Sequence, residues 1–232
     1  MQVFLETDRL VLRQFTMADA DNLVDLDADP DVMRFVTGGI PTSRQEIQDE
    51  FLPAFLGYYQ RYEGYGFWAA IEKATGEFLG WFHFRPGKDA APGEVELGYR
   101  LRKSAWGKGY ATEGSRALIR KGFSELGVQR VVAEAMAVNQ ASRRVMEKAG
   151  LKLVRTFYQP WPYPMEGDQF GDVEYALDKA GWQQHQPGAS SRPSAQGHRG
   201  RTGRILLSPR PAAGKLVISR PDTGWSRCQQ PR

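Results

Sequence analysis

Three strand-like stretches follow one another with no helix between them: "GFWAAIEKA" from Gly66, "EFLGWFHFR" from Glu77 and "EVELGYRL" from Glu94. Thr75-Gly76 joins the first two, a turn short enough to predict an antiparallel hairpin. The third runs into "SAWGKGYATEG" and then into Ala111, Leu118, Ile119, Gly122 and Leu126, which recur at helical spacing. Three consecutive strands that feed a helix through a glycine turn commit the chain to a sheet flanked by helices.

The flanking segments fill in that plan. A strand is predicted at Leu10–Gln14, followed by a helix in "TMADADNLVDL" that Thr16 can cap, and Pro30 opens a further short helical turn. Ser43 and Glu46 form a capping-box pattern ahead of a helix reaching about Arg61, with Pro53 set to kink it. After the glycine turn and its helix come a strand, "RVVAEAMA", and a helix from Asn139, a good cap, to Gly150, a good terminator. Strands near Leu153–Tyr158 and Asp172–Leu177 close the unit. The expected fold class is α/β (α+β): a mixed, mostly antiparallel central sheet with helices on both faces.

Charge divides the chain at about residue 182. From Gln183 to Arg232 nine Lys or Arg face one acid, Asp222, a balance of +8. The whole chain carries +4, which leaves −4 for residues 1 to 182. That tail, rich in Pro, Gly, Ser and Arg, is expected to be disordered, because it offers too little apolar surface to offset the entropy of ordering. An Arg-rich arm can bind nucleic acid by releasing counterions. A plain extension is the preferred reading, since no aromatic alternates with the arginines to stack on bases. The sole cysteine, Cys228, lies in this tail, so residues 1 to 182 can form neither an internal disulfide nor a cysteine metal site. A reducing cytoplasm fits, and no apolar run is long enough to span a bilayer.

A turn built on Gly107 and Gly109 lets backbone N–H groups converge on a ligand with no Cβ in the way, and the following helix N-terminus adds positive potential. Both features suit a phosphate or pyrophosphate, with Lys108 able to add charge at the rim. Two familiar nucleotide signatures fit poorly. The dinucleotide fingerprint needs a third glycine where Thr112 stands, and the triphosphatase loop needs Ser or Thr where Gly109 follows the lysine.

Three stretches, "ETDRLVLRQFTMADAD", "ELGYRLRKSAWGKGYATEG" and "NQASRRVMEKAGLKLV", occur in this order. Together they resemble the GNAT superfamily of N-acetyltransferases, most closely the branch that includes ribosomal-protein N-terminal acetyltransferases. The resemblance covers about residues 5 to 180. It implies the acyl-CoA N-acyltransferase fold, acetyl-CoA as acyl donor and an amine acceptor. It also implies pyrophosphate binding at Gly107, Lys108, Gly109, Tyr110 and Ala111, and main-chain pairing near Leu101 with the pantetheine arm. Trp106 is typical of that branch. The family commonly has Gln or Arg three residues before the first glycine, and this chain has Ser104. The family's asparagine falls on Asn139 and its serine on Ser142, which would lie near the departing sulfur and protonate it directly or through water.

Acetyl transfer to an amine needs a neutral nucleophile, yet a lysine-like amine has a pKa near ~10 and an α-amine near ~8. A carboxylate on the central strand can take the proton. Glu94 and Glu96 alternate with Val95, Leu97 and Tyr99 and so share a face. Glu96 is preferred because it is nearer mid-strand and matches the family's acidic position, with a solvated strand face as the plain alternative. His83 is a further candidate base or a structural histidine. A backbone N–H near Arg100 or Leu101 is the natural oxyanion donor. With no cysteine outside the tail, direct attack in a ternary complex is favoured over an acyl-enzyme.

The proline-rich segment "FYQPWPYPMEGDQFGDVEY" could wall the acceptor pocket through Tyr158, Glu166 or Asp168, or pack as a surface loop. The −4 balance of residues 1 to 182 favours cationic acceptors. Peptide N-termini, metabolite amines and antibiotic amines all remain open, as do monomer and homodimer. A non-catalytic acyl-CoA sensor and a nucleic-acid binder acting through the tail are the competing functions.

Overall fold

The computed structural model describes residues 2–87, 90–161 and 165–185. The expectation of a disordered basic tail falls almost wholly on residues 186–232, which lie outside the described residues. Ahead of the expected first strand stands another, β1 (Val3–Glu6), which pairs antiparallel with β2 (Leu10–Gln14). With only four residues, β1 offered too short a pattern to read. The turn between them is fixed by Thr7, whose hydroxyl accepts the Leu10 N–H at 2.8 Å.

Helices α1 (Ala20–Asp27) and α2 (Pro30–Met33) follow. Thr16 caps one turn earlier than expected, at a short 3-10 turn where Asp19 accepts its N–H (2.8 Å). The Ser43–Glu46 capping box closes reciprocally, Ser43 N–H to Glu46 Oε2 at 2.9 Å and Glu46 N–H to Ser43 Oγ at 3.2 Å. It opens α3 (Arg44–Glu46), a π turn over Ile47–Phe51, and α4 (Leu52–Arg61). Proline cannot donate an i−4 hydrogen bond, and the wider π turn immediately ahead of α4 places Pro53 in that helix's first turn, where no such bond is needed.

Strands β3 (Gly66–Glu72), β4 (Phe78–Arg85) and β5 (Glu94–Leu101) form an antiparallel meander. Then come α5 (Tyr110–Glu125), β6 (Arg130–Met136), α6 (Gln140–Lys148), β7 (Lys152–Phe157), β8 (Asp172–Asp178) and α7 (Lys179–Gln184). The short α7 carries helical structure across the charge boundary read at residue 182. The strands make one sheet in the order β1-β2-β3-β4-β5-β6-β8-β7, antiparallel throughout except for β5 with β6.

Alternation along each strand divides the core in two. Phe82 and Phe84 of β4, Val95 and Leu97 of β5, and Val131 and Ala133 of β6 bury against Leu118, Ile119 and Phe123 of α5 and Met146 of α6. On the other face, Phe67, Ala69, Phe78 and Trp81 bury against Leu23 and Leu26 of α1 and Leu52 and Phe55 of α4. Helix α5 lies so close to the sheet that a Cβ added at Gly114 or Gly122 would come within 2.4 Å of Phe82 or 2.5 Å of Phe84. No helix among the described residues is long and apolar enough to cross a membrane.

Candidate active site

The single parallel pairing in the sheet is short. Glu94, Val95 and Glu96 of β5 match Arg130, Val131 and Val132 of β6, and there the pairing ends. Beyond that point β5 stays with β4 as far as Leu101, while β6 stays with β8 as far as Met136. The two inner edges therefore separate, and a cavity of about 590 Å³ opens between them.

The residues that line this gap come from both faces of the sheet. Tyr99 and Leu101 of β5 and Ala135 of β6 face α5 and α6, whereas Arg100 and Glu134 alternate to the α1 face. The remaining wall includes the glycine turn, the first turn of α5, one side of α6 from Ala141 to Lys148, and residues 31, 32 and 34–36 after α1. The backbone of β5 is also turned into the gap. The Arg102 N–H donates to the Leu79 carbonyl (2.8 Å), so by the alternation of an antiparallel ladder the main-chain groups of Tyr99 and Leu101 point away from β4. The Leu101 carbonyl already accepts the Trp106 indole N–H at 2.9 Å, which fixes Trp106 on the cavity wall.

Gly107 (φ 72°) and Gly109 (φ 85°) both occupy the left-handed region that disfavours side chains, and Gly109 is the N-cap of α5. The N–H groups of the helix's first turn have no intrahelical acceptor and are available to an anion. A Cβ at Gly107 would meet nothing within 4 Å, so the turn is open above. It is pinned from behind by the β1–β2 turn. Arg9 donates from Nη1 to the Lys108 carbonyl (3.0 Å) and from Nε to Glu113 Oε2 (2.7 Å), and the Thr7 hydroxyl donates to Glu113 Oε1 (2.6 Å). Burial alone would raise the Glu113 carboxyl, but Thr7 and the Arg9 N–H and guanidinium together hold it below its usual range. The acid so close to the anion-binding turn is thus neutralised by Arg9. Tyr110 is anchored through its hydroxyl to Glu72, and Arg9 lies 4.4 Å over its ring.

Across the gap, Asn139 caps α6 by accepting the Ser142 N–H at 3.0 Å. The Tyr99 hydroxyl donates to the Ser142 carbonyl (3.0 Å) and lies 3.0 Å from Ser142 Oγ. Of the residues singled out from sequence, Leu101, Gly107, Gly109, Tyr110, Ala111, Asn139 and Ser142 all line this one cavity. Lys108 contributes its carbonyl to the Arg9 anchor, and its residue is not on the cavity wall.

The expected bases lie elsewhere. Glu96 does share a strand face with Glu94, but that face is covered, and Glu96 is only 5% exposed. It lies 3.5 Å from Arg85 and 3.7 Å from His83, away from the cavity wall. His83 is 1% exposed, and burial, followed by the charges of Arg85 and Arg100, holds its imidazole well below its usual pKa. It is neutral near pH 7 and does not reach the gap. Glu94 pairs with Arg130 at 3.2 Å, at the end of β5 where the strands are still joined.

Sequence reasoning missed Thr7 and Arg9, which reach the turn and its neighbour Glu113 from 99 and 106 residues away, and Glu134, Tyr99 and Arg34. In "RVVAEAMA" the small residues Ala133 and Ala135 mark the core face and leave Glu134 on the other, a signal present but unused. In the proline-rich segment, Glu166 accepts from Arg34 of the cavity wall (2.8 Å), Asp168 accepts the Met165 N–H (3.2 Å), and Tyr158 is exposed. Residues 162–164 lie outside the described residues. Among the described residues no cluster of acids, His or Cys could hold a metal ion.

A family model described as an acetyltransferase (GNAT) domain matches residues 9–152. The chain is 34% identical over 204 residues to the FsC-acetyl coenzyme A-N(2)-transacetylase of Aspergillus fumigatus, covering 82% of this chain and 83% of that protein. It is 36% identical over 165 residues to YkkB of Bacillus subtilis, an uncharacterized protein, covering 69% and 91%. Among solved structures, a GNAT-family acetyltransferase from Bacillus anthracis matches with a TM-score of 0.64 at 23% identity, covering 78% of this chain and 99% of that one. RimL, a ribosomal alpha-N-protein acetyltransferase solved in complex with coenzyme A, matches with a TM-score of 0.64 at 21% identity, covering 76% and 98%. At these identities the two structures show the shared fold. By its match to the family model and to a relative aligned over 83% of its length, the chain belongs to the GNAT family of N-acetyltransferases, enzymes whose acetyl donor is acetyl-CoA.

Proposed function

We propose that the protein transfers the acetyl group of acetyl-CoA to a primary amine of a low-molecular-weight acceptor, by direct attack in a ternary complex. The observation that carries this reading is the through-sheet cavity. Its α5/α6 half offers the glycine turn, the β5 main chain that points away from β4, and Asn139–Ser142, while its α1 half offers Arg34, Arg100 and Glu134. Donor and acceptor can thus approach one another from opposite faces of a single gap.

In this reading the N–H groups from Gly107 to Ala111 hold the pyrophosphate, and the main chain of Tyr99 and Leu101 pairs with the pantetheine arm. An N–H of that same strand segment faces the developing oxyanion. Ser142, oriented by Asn139 through its own N–H and by Tyr99 through its hydroxyl, returns a proton to the departing thiolate. The only cysteine of the chain, Cys228, lies far beyond the matched family region, and no thiol nucleophile is required.

A small acceptor is favoured by kinship: the relative that aligns over 82% of this chain is named an N(2)-transacetylase of FsC. The test is release of free CoA thiol from saturating acetyl-CoA against FsC, a panel of small amines and diamines, and peptides with free N-termini. Turnover on a small amine at least tenfold above every peptide supports the proposal. Turnover confined to peptides would replace it with protein N-terminal acetylation, and acetyl-CoA binding without turnover would leave a sensor.

A further inference from the structure

We infer that Trp106 is a positioning residue that sets the spacing between the two segments gripping the donor, the end of β5 and the glycine turn. The inference goes beyond the proposed reaction. It rests on the donor placement given above, with the pantetheine arm along β5 and the pyrophosphate at the glycine turn.

Trp106 is a large aromatic side chain that does little for the core. It is 47% exposed, whereas its neighbour Ala105 is 2% exposed and belongs to the buried cluster. What the indole supplies is directional: its N–H donates to the Leu101 carbonyl at 2.9 Å, five residues back. Phenylalanine could cover the same wall, but it has no donor.

Leu101 is a fixed point. It ends β5 opposite Gly80 of β4, and the next residue, Arg102, donates its N–H to the Leu79 carbonyl at 2.8 Å. The two strands are so close there that a Cβ added at Gly80 would come within 2.1 Å of the Arg100 carbonyl oxygen.

The glycine turn, by contrast, needs ties from outside. Gly107 and Gly109 have no Cβ to restrict their dihedrals, and a Cβ on Gly107 would meet nothing within 4 Å. The connection from β5 is a 3-10 turn at Lys103–Ala105, closed by the Ala105 N–H on the Arg102 carbonyl (2.9 Å) and the Trp106 N–H on the Lys103 carbonyl (3.1 Å). Those bonds tighten the middle of the connection. The indole bond spans the whole of it, from the last residue of β5 to the residue before Gly107. From the other side, Arg9 holds the Lys108 carbonyl at 3.0 Å.

Spacing matters because acetyl-CoA has two linked ends. A second linked contact adds about a hundredfold to ten-thousandfold in affinity when the separation of the subsites matches the linker, and adds nothing when the geometry forbids both at once. A carbonyl has two lone pairs, so Leu101 can accept the indole N–H and still face the pantetheine arm.

The experiment measures dissociation constants for full-length parent, Trp106→Phe and Trp106→Ala. The ligands are acetyl-CoA, acetyl-pantetheine, which lacks the phosphates, and ADP, which lacks the arm; the two fragments are titrated in competition with acetyl-CoA. In the parent, acetyl-CoA should bind at least about a hundredfold more tightly than acetyl-pantetheine. Trp106→Phe should cut that ratio about tenfold, with Kd for each fragment within about twofold of parent and melting temperature close to parent. Trp106→Ala should do the same, because neither replacement carries a donor. A variant that weakens both fragments as much as acetyl-CoA would reveal a merely structural role, and a parental ratio in Trp106→Phe would show that the ring matters and the N–H does not. Either result overturns the inference. A parent that binds acetyl-CoA no more tightly than acetyl-pantetheine would instead overturn the donor placement, because no pyrophosphate would then be held at the turn.

Discussion

Asp27 and Arg100 tie α1 to the strand that forms one lip of the active-site gap. The Asp27 carboxylate, 3% exposed, accepts from Arg100 Nη1 at 2.6 Å and from the Thr42 hydroxyl at 2.6 Å. The Arg100 guanidinium lies 5.1 Å over the Trp81 ring, and its Nε has no acceptor. Asp27→Asn would leave a buried guanidinium without its counter-charge, a loss of about 3–5 kcal/mol. Arg44 and Asp21 are also 2.6 Å apart, but their side chains are 54% and 78% exposed. Solvent screening limits such a pair to about 0–1 kcal/mol, so Asp21→Asn is the matched control. At about 2–4 °C per kcal/mol for a folded unit of this size, thermal unfolding should show Asp27→Asn melting about 6–20 °C below parent and Asp21→Asn within about 4 °C. Equal shifts for the two variants would refute the reasoning that burial, rather than distance, sets the worth of these pairs. A double replacement, Asp27→Leu with Arg100→Met, should recover part of the loss because no buried charge is left unpaired.

Gly122→Ala places a Cβ 2.5 Å from Phe84 Cζ. The resulting shift of α5 should cost about 1–3 kcal/mol, measured by denaturant unfolding, and a neutral effect would mean the helix sits farther from the sheet. Arg9→Ala removes the contacts to Lys108 and Glu113 that pin the glycine turn. KM for acetyl-CoA should rise several-fold with kcat less affected, and an unchanged KM would show the turn to be held without it. Burial alone would raise the Asp19 carboxyl, but Arg13, the Thr16 N–H and Asn22 outweigh it and hold the folded pKa below 3.8. Its stabilising contribution is therefore complete above the unfolded value and is lost as pH falls through the depressed folded value. Asp19→Asn should flatten the steepest part of acid unfolding below about pH 4, and an acid limb identical to parent would contradict this.

What sequence could reveal followed from how local each signal is. The capping box at Ser43–Glu46, the Thr75-Gly76 hairpin and the Asn139 cap depend on residues within a few positions of each other, and all three stand in the structure. The glycine turn likewise announced itself through Gly107 and Gly109. What holds that turn did not, because Arg9 and Glu113 meet only after the β1–β2 hairpin has folded against α5. The preference for Glu96 shows the limit most clearly. Alternation correctly put Glu94 and Glu96 on one face, but a strand pattern carries no record of where its parallel partner leaves. That departure after Glu96 and Val132 opens the gap, buries Glu96 behind it and brings Glu134 to its wall. In the same way Pro53 signalled a disturbance in its helix, while the π turn that absorbs it is a choice made by tertiary packing.

The most direct test of the coenzyme site is calorimetric titration of acetyl-CoA into the full-length protein beside a Gly107→Asp, Gly109→Asp double variant whose folding is checked by circular dichroism. The added carboxylates repel a pyrophosphate, and their Cβ atoms strain the two left-handed positions. Micromolar binding in the parent that vanishes in the folded variant is the predicted result. Equal binding in both would place the donor elsewhere and contradict the site described here.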